Sequence, residues 1–288
     1  MKTMFRILGA VLTAHFATLV CAQTVTIGLT ALPAPEGFLF HKDKTMVVEL
    51  SAAKPKLILV LLPGGNGVLG FNKLEGKPQQ IFDKTNFKSQ FNGRFTDILK
   101  DIIDPNGINL PIEALVVDSP YPLEETVHQA DFGFPKDRDA SEHQQRLLSV
   151  LDHYKQVGVP IWLFGHSNGT FSATRFMGTL KSMKREGDVA GLILSSSRDV
   201  ILPQNIPDVP TLFAHSDRDG CDRTPFAKAQ QNFLGVKARN KSDTEFVVIK
   251  GGKEQPGNPC FTGIHMHNGA YEEVAQAVSE FLKKNAGL

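Results

Sequence analysis

The sequence predicts an α/β domain: a mainly parallel central sheet of about eight strands with helices on both faces. Three observations carry this reading. Short apolar, β-branched runs of strand length recur along the chain. The later runs alternate with stretches of helical periodicity, the rhythm that places parallel strands inside and helices outside. No internal repeat, low-complexity linker or composition shift divides the 288 residues, a length that one α/β domain can fill.

In chain order the strand candidates are "TVTIGL", "TMVVEL", "KLILVLL", "EALVVD", "PIWLFG", "VAGLILSSS", "PTLFAH" and "TEFVVIK". Helical patterns occupy roughly 89–103, 140–157, 168–185, 224–234 and 270–285. The first two strands have no helix between them, so an antiparallel start to the sheet is expected. Long connections follow the third and fourth strands. Between "LILSSS" and "TLFAH" the connection is too short for a sizeable helical lid. Any cover over a site must therefore come from 64–112 or 119–142, both rich in Gly, Pro, Asn and Phe. Phe71, Phe132 and Phe134 in those segments could line an apolar pocket, and core packing accounts for them equally well.

The N-terminus reads as a leader. "MKTMFRILGAVLTAHFATLVCAQ" has a basic start at Lys2 and Arg6, an apolar stretch from Ile7 to Val20, and small residues fitting cleavage after Ala22. We therefore expect a signal peptide over 1–22 and one domain over 23–288. The apolar stretch is short and interrupted by His15, which argues against a membrane anchor. Lipid modification of Cys21 is a weaker alternative, because Val20 stands where such signals want a smaller residue. Without Lys2 and Arg6, the 31 basic residues fall to 29 against 30 acidic ones. This neutral balance, with no basic block, argues against nucleic acid and anionic membrane surfaces as partners. The expected location is the periplasm or the medium, with no stable membrane insertion. Cys21 leaves with the leader. Cys221 and Cys260 lack any CxxC spacing for zinc and are expected to close into a disulfide in an oxidising compartment. Two separate buried thiols are the alternative.

The chemistry centres on Gly165-His166-Ser167-Asn168-Gly169. A G-x-S-x-G pattern is a weak signal alone, but here it joins a strand candidate to a helix candidate, the setting of a nucleophile elbow. Ser167 must adopt a strained backbone there, and side chains at 165 and 169 would collide with neighbouring backbone. Gly169, Ser172 and Ala173 are small enough to let the helix lie close to the sheet. Its N-terminus points free N–H groups toward any oxyanion forming beside Ser167. His166 fills a slot that varies freely in this pattern and predicts nothing.

A hydroxyl needs a base, and the base needs an orienting acid. "SDRDGCD" offers Asp217, Asp219 and Asp222, and Asp199 follows "LILSSSR". "GGKEQPGNPCFTGIHMHNGAYEEV" offers His265 and His267. Loops leaving the carboxyl ends of parallel strands converge at one edge of the sheet. The run Pro63-Gly64-Gly65-Asn66-Gly67 can aim a backbone N–H at the same point as the N–H of Asn168. No Lys-Ser/Thr follows it and no G-x-G-x-x-G register fits, so nucleotide binding is discounted. His128, His143 and His153, with Asp131, Asp137, Asp139 and Asp152, match no zinc or calcium spacing and read as a solvated loop and helix face. Of two glycosylation sequons, Asn168-Gly169-Thr170 lies in the elbow and is disregarded, leaving Asn240-Lys241-Ser242.

The segments "LLPGGNG", "VVDSPYP", "FGHSNGT", "AHSDRDGC" and "CFTGIHMHNGAYEEVAQAVSEFL" resemble those of the α/β-hydrolases, over about 45–285. The resemblance is to an exported, lid-poor bacterial serine esterase-like branch. It implies Ser167 as nucleophile, Asp219 as acid and His265 as base, with Gly65 and Asn168 N–H groups as oxyanion donors. His267 is the alternative base, and Asp217, Asp222 and Asp199 are alternative acids. Pro63 stands where many members have histidine, which leaves a backbone donor unaffected. On this reading a Cys221–Cys260 bond would tie the acid loop to the histidine loop. The implied activity is hydrolysis of a small-molecule or polymer carboxylic ester through an acyl-enzyme, without metal or organic cofactor. Amidase, peptidase or thioesterase chemistry on the same triad is the alternative, as is a hydrolase-like binding protein without turnover.

Overall fold

The computed structural model describes residues 26–33, 45–51, 54–65, 67, 69, 71, 76–77, 94–103, 108–118, 138 and 141–288. The segment over 1–22 that the sequence reads as a leader lies outside the described residues, as do His128, Phe132, Phe134, Asp131, Asp137 and Asp139.

All eight strand candidates form strands: β1 (Thr26–Leu32), β2 (Thr45–Ser51), β3 (Leu57–Leu62), β4 (Ile112–Val117), β5 (Ile161–His166), β6 (Gly191–Ser195), β7 (Thr211–Ser216) and β8 (Thr244–Ile249). They make one sheet in the order β1-β2-β4-β3-β5-β6-β7-β8. β2 runs antiparallel to both β1 and β4, and the remaining pairs are parallel. The antiparallel start is as the missing helix between the first two runs predicts.

Among the described residues, five helices lie against the sheet: α1 (Arg94–Ile103), α2 (Ser141–Tyr154), α3 (Asn168–Ser182), α4 (Phe226–Lys237) and α5 (Tyr271–Ala286). Their ends differ from expectation for local reasons. α2 tightens into a 3₁₀ turn over Lys155–Val157, which Gly158 ends at φ 79°. α4 begins after Pro225, whose extended backbone marks the helix boundary. α5 stops at Gly287 in the left-handed conformation.

The core has two layers because successive strand side chains point to opposite faces. Leu57, Leu59 and Leu61 of β3 pack with Ile98, Leu99 and Ile102 of α1 and with Val274, Val278 and Phe281 of α5. Ile58, Val60 and Leu62 pack on the other side with Leu147 and Leu151 of α2 and with Phe176, Met177 and Leu180 of α3. Every residue of β3 and β5 is buried, so these runs carry no polar alternation. Each such aliphatic side chain contributes about 1.5–3 kcal/mol relative to exposure.

Parallel strands send all their exits to one edge. The loops after β3, β5, β6, β7 and β8 therefore emerge together there. The β6–β7 connection holds one 3₁₀ turn, Pro203–Asn205, and no larger helix. Among the described residues, no helix is long and apolar enough to cross a membrane.

Candidate active site

The site is built outward from the turn between β5 and α3. Ser167 sits there at φ 51°, ψ −122°, a conformation that costs backbone strain in a non-glycine residue. Its N–H donates to the Ser195 carbonyl at 3.0 Å, and its own carbonyl accepts from the N–H of Thr170 at 2.9 Å and the hydroxyl of Thr170 at 2.6 Å. The flanking glycines are required by space. A Cβ on Gly165 would stand 2.5 Å from the Gly169 carbonyl oxygen, and one on Gly169 would stand 1.9 Å from that of Leu62. The turn thus holds the Ser167 hydroxyl up, partly exposed, over the strand ends.

Opposite it stands His265. Its Nε2 lies 3.1 Å from Ser167 Oγ, and its Nδ1 lies 2.9 and 3.2 Å from the two carboxylate oxygens of Asp219. Three loops, after β5, β7 and β8, supply these groups. Thr224 sits beside the junction. Its hydroxyl donates to Asp219 Oδ2 at 2.9 Å and lies 3.2 Å from His265 Nδ1. The Cys221 N–H donates to Asp219 Oδ1 at 2.9 Å. Burial pushes the Asp219 carboxyl up. The hydrogen bond and charge of His265, the Cys221 N–H and the nearby His215 outweigh that and hold it below the ordinary carboxylate value. Asp219 therefore stays ionised, facing the imidazole.

His215, at the end of β7, lies behind the Asp219 carboxylate. Its Nδ1 accepts from the Ser197 N–H at 3.1 Å, which makes Nε2 the protonated nitrogen, donating to the Thr224 carbonyl at 2.9 Å. That same Nε2 lies 3.6 Å from Asp219 Oδ2. Burial holds His215 below the usual imidazole value, hence neutral. Nothing in the spacing of "AHSDRDGCDRTPF" marks His215 or Thr224 for these positions.

The alternative residues go elsewhere. His267 turns away from Ser167, and its Nε2 lies 2.7 Å from Ser195 Oγ, which is also 3.2 Å from His166 Nδ1. Ser195, His166 and His267 are all buried to within 1 % of full enclosure, so this second serine–histidine pair is walled off from any substrate. Burial first, and then the neighbouring His265 and His215, push His267 down to about 3. Asp217 pairs with Lys250 at the surface. Asp199 meets Arg198 at 3.4 Å, and Asp222 lies beside Cys260.

On the other side of Ser167 lies the glycine run after β3. Gly64 is so near that a Cβ added to it would stand 3.1 Å from Ser167 Cβ. Gly65 has φ 58°, and the Gly67 N–H closes a turn on the Gly64 carbonyl at 3.0 Å. Asn168 opens α3, so its backbone N–H has no partner within the helix. Three side chains brace the run. Arg138 Nη2 donates to the Pro63 carbonyl at 2.5 Å, Asn168 Nδ2 to the Gly65 carbonyl at 2.9 Å, and the Asp118 carboxylate accepts the N–H groups of Leu69 and Phe71 at 2.5 and 2.7 Å. Asp118 belongs to "VVDSPYP", whose polar residue at a strand end is the signal that could have pointed to it.

Cys221 and Cys260 form a disulfide, with Cα atoms 4.5 Å apart. It joins the loop of Asp219 to the loop of His265. Arg218 makes a second tie, donating to the carbonyls of Lys250 and Gly251 at 2.8 and 3.1 Å. Among the described residues, Cys221, Asp222 and Cys260 are grouped closely enough for a metal, but the two sulfurs are bonded to each other. His143 departs from the solvated face expected of it: its Nε2 lies 3.0 Å from Ser172 Oγ, between α2 and α3. His153 and Asp152 are exposed as expected, Asp152 pairing with Arg185. Phe71 is buried in the core layer rather than facing a pocket.

No protein-family model matches this chain, and no curated protein does. Solved structures do. A dienelactone hydrolase from Anabaena variabilis superposes with a TM-score of 0.58 at 15% identity, covering 91% of this chain and 98% of that one. XC6422 from Xanthomonas campestris, described as an α/β serine hydrolase without a lid, gives 0.52 at 12% identity over 90% and 94%. A cold-adapted esterase from an Arctic intertidal metagenomic library gives 0.51 at 13% identity over 89% and 92%. The chain has the α/β-hydrolase fold.

Proposed function

We propose that this α/β-hydrolase-fold protein is an exported serine hydrolase that cleaves carboxylic esters through an acyl-enzyme. The observation that carries the reading is the continuous series of contacts from Ser167 Oγ through His265 to the ionised Asp219. In this reading His265 Nε2 takes the Ser167 proton as Oγ attacks the ester carbonyl, and Asp219 stabilises the imidazolium. The N–H groups of Gly65 and Asn168 hold the oxyanion. Collapse of the tetrahedral intermediate expels the alcohol, which receives the proton from His265. Water, deprotonated by the same imidazole, then attacks the acyl-serine, and the acid leaves with Ser167 restored.

Esters are favoured over amides because an alkoxide leaves more readily from an uncomplicated triad. The hydrolase and esterase neighbours support that choice. The disulfide and the leader over 1–22 support export, with 23–288 as one mature domain.

The test is a panel of chromogenic esters of graded acyl length, run beside matched anilides on the wild type and Ser167→Ala. Ester turnover that falls about 10⁴-fold or more in a folded Ser167→Ala variant is expected. Anilide cleavage equal to ester cleavage would reassign the protein to the amidases. No turnover of either by the wild type would make it a binding protein.

A further inference from the structure

We propose that the Asn168 side chain is a positioning group for oxyanion stabilisation, clamping the Gly65 carbonyl. One residue then supplies one donor from its backbone and aims the other through its amide. The inference rests on the serine-hydrolase reading above.

The argument begins with what the glycine run lacks. Gly64 and Gly65 have no side chains to pack, and Gly65 occupies the left-handed region at φ 58°, so hydrogen bonds alone can fix their peptide planes. Arg138 holds the run upstream at the Pro63 carbonyl, and Asp118 holds it downstream at Leu69 and Phe71. The Gly67 N–H closes on the Gly64 carbonyl at 3.0 Å, in the peptide that carries the Gly65 N–H. On the other side of Gly65, Asn168 holds its carbonyl, with Nδ2 at 2.9 Å across 103 residues of sequence.

The amide itself points the same way. Asn168 is 4 % exposed, and its Oδ1 is buried without a hydrogen-bond partner among the described residues. A buried amide with its acceptor unused is a poor device for stability. Its donor end, in contrast, holds the carbonyl of the residue whose N–H the serine-hydrolase reading assigns to the oxyanion. Since the oxyanion exists only as the carbonyl becomes tetrahedral, a loosened Gly65 should weaken transition-state binding and leave substrate binding alone.

Asn168→Leu keeps the shape and removes the donor. Asn168→Asp is the second variant should Leu fail to fold; it places an acceptor against the Gly65 carbonyl. Exhaustive labelling with a fluorophosphonate counts competent sites, and kcat and KM for 4-nitrophenyl butyrate are then expressed per labelled site. The expected result is kcat about 10- to 100-fold lower per site with KM within about threefold, and a larger loss for Asp. Wild-type kcat per site, with only fewer sites or a lower Tm, would reduce Asn168 to a packing residue and overturn the proposal. A raised KM at constant kcat would overturn it too. A wild type that neither labels nor turns over would sink the hydrolase reading itself, an outcome distinct from an active wild type matched by its variants.

Discussion

Two residues apart in one loop, His265 and His267 face different serines and have different fates. His265 reaches the partly exposed Ser167, whereas His267 is enclosed with Ser195 at 2.7 Å. Replacing each by alanine should separate them. His265→Ala should lose about 10⁴-fold or more in kcat, and should also melt somewhat lower because the buried Asp219 carboxylate loses its imidazole partner. His267→Ala should keep most of its kcat and lose about 1–3 kcal/mol of stability, because the Ser195 hydroxyl loses its 2.7 Å partner and His166 a packed ring. Steady-state kinetics beside thermal melts check both. The sequence left this choice open for a physical reason. The histidines lie in an irregular loop, where spacing sets no face, and His267 takes a left-handed φ of 53° that no pattern announces. Ser167 was legible because its neighbours are constrained: only glycine fits at 165 and 169.

At the scale of elements, the sheet edge gathers loops that need to be tied. The Cys221–Cys260 bond closes a separation of 39 residues, for which chain entropy gives roughly 4 kcal/mol. The Cys221→Ser/Cys260→Ser variant should therefore melt well below the wild type, in a chemical denaturation series by up to that amount. Its kcat should fall as the His265–Asp219 contact loosens, Arg218 keeping part of the alignment. The elbow is less forgiving. Gly169→Ala puts a methyl 1.9 Å from the Leu62 carbonyl oxygen, which is backbone of β3 and cannot swing aside. That variant should express without a cooperative melting transition, or melt far below the wild type. Strands were readable as elements because β3 and β5 are buried on both faces and so, His166 apart, consist of apolar residues and glycine. Helix ends were less so, since Gly158 and Pro225 act through local backbone geometry that periodicity does not see.

For the whole molecule, the strand edge concentrates neutral buried histidines around one ionised carboxylate. Burial holds His166, His215 and His267 below their ordinary values in the folded protein. In the unfolded chain they protonate near pH 6.5. The unfolded state therefore binds more protons in acid, and stability that is whole above about pH 6.5 is lost as pH falls, toward about 3 for His267. Each of the three contributes a slope of about 1.4 kcal/mol per pH unit inside its window. Asp219, held below its ordinary value, adds to the loss only beneath about pH 4. Urea midpoints at pH 7.5, 6, 5 and 4 should fall in that order; a flat profile would show the histidines to be solvated. None of this enclosure could be read from the sequence, because it depends on five loops meeting at one edge. The central claim is that Ser167 is a nucleophile activated by His265. The most direct measurement is the peptide mass map of protein treated with a fluorophosphonate. A single adduct on the peptide bearing Ser167, absent from Ser167→Ala and formed far more slowly in His265→Ala, is the expected result. An adduct on Ser195, or none on Ser167, would contradict it.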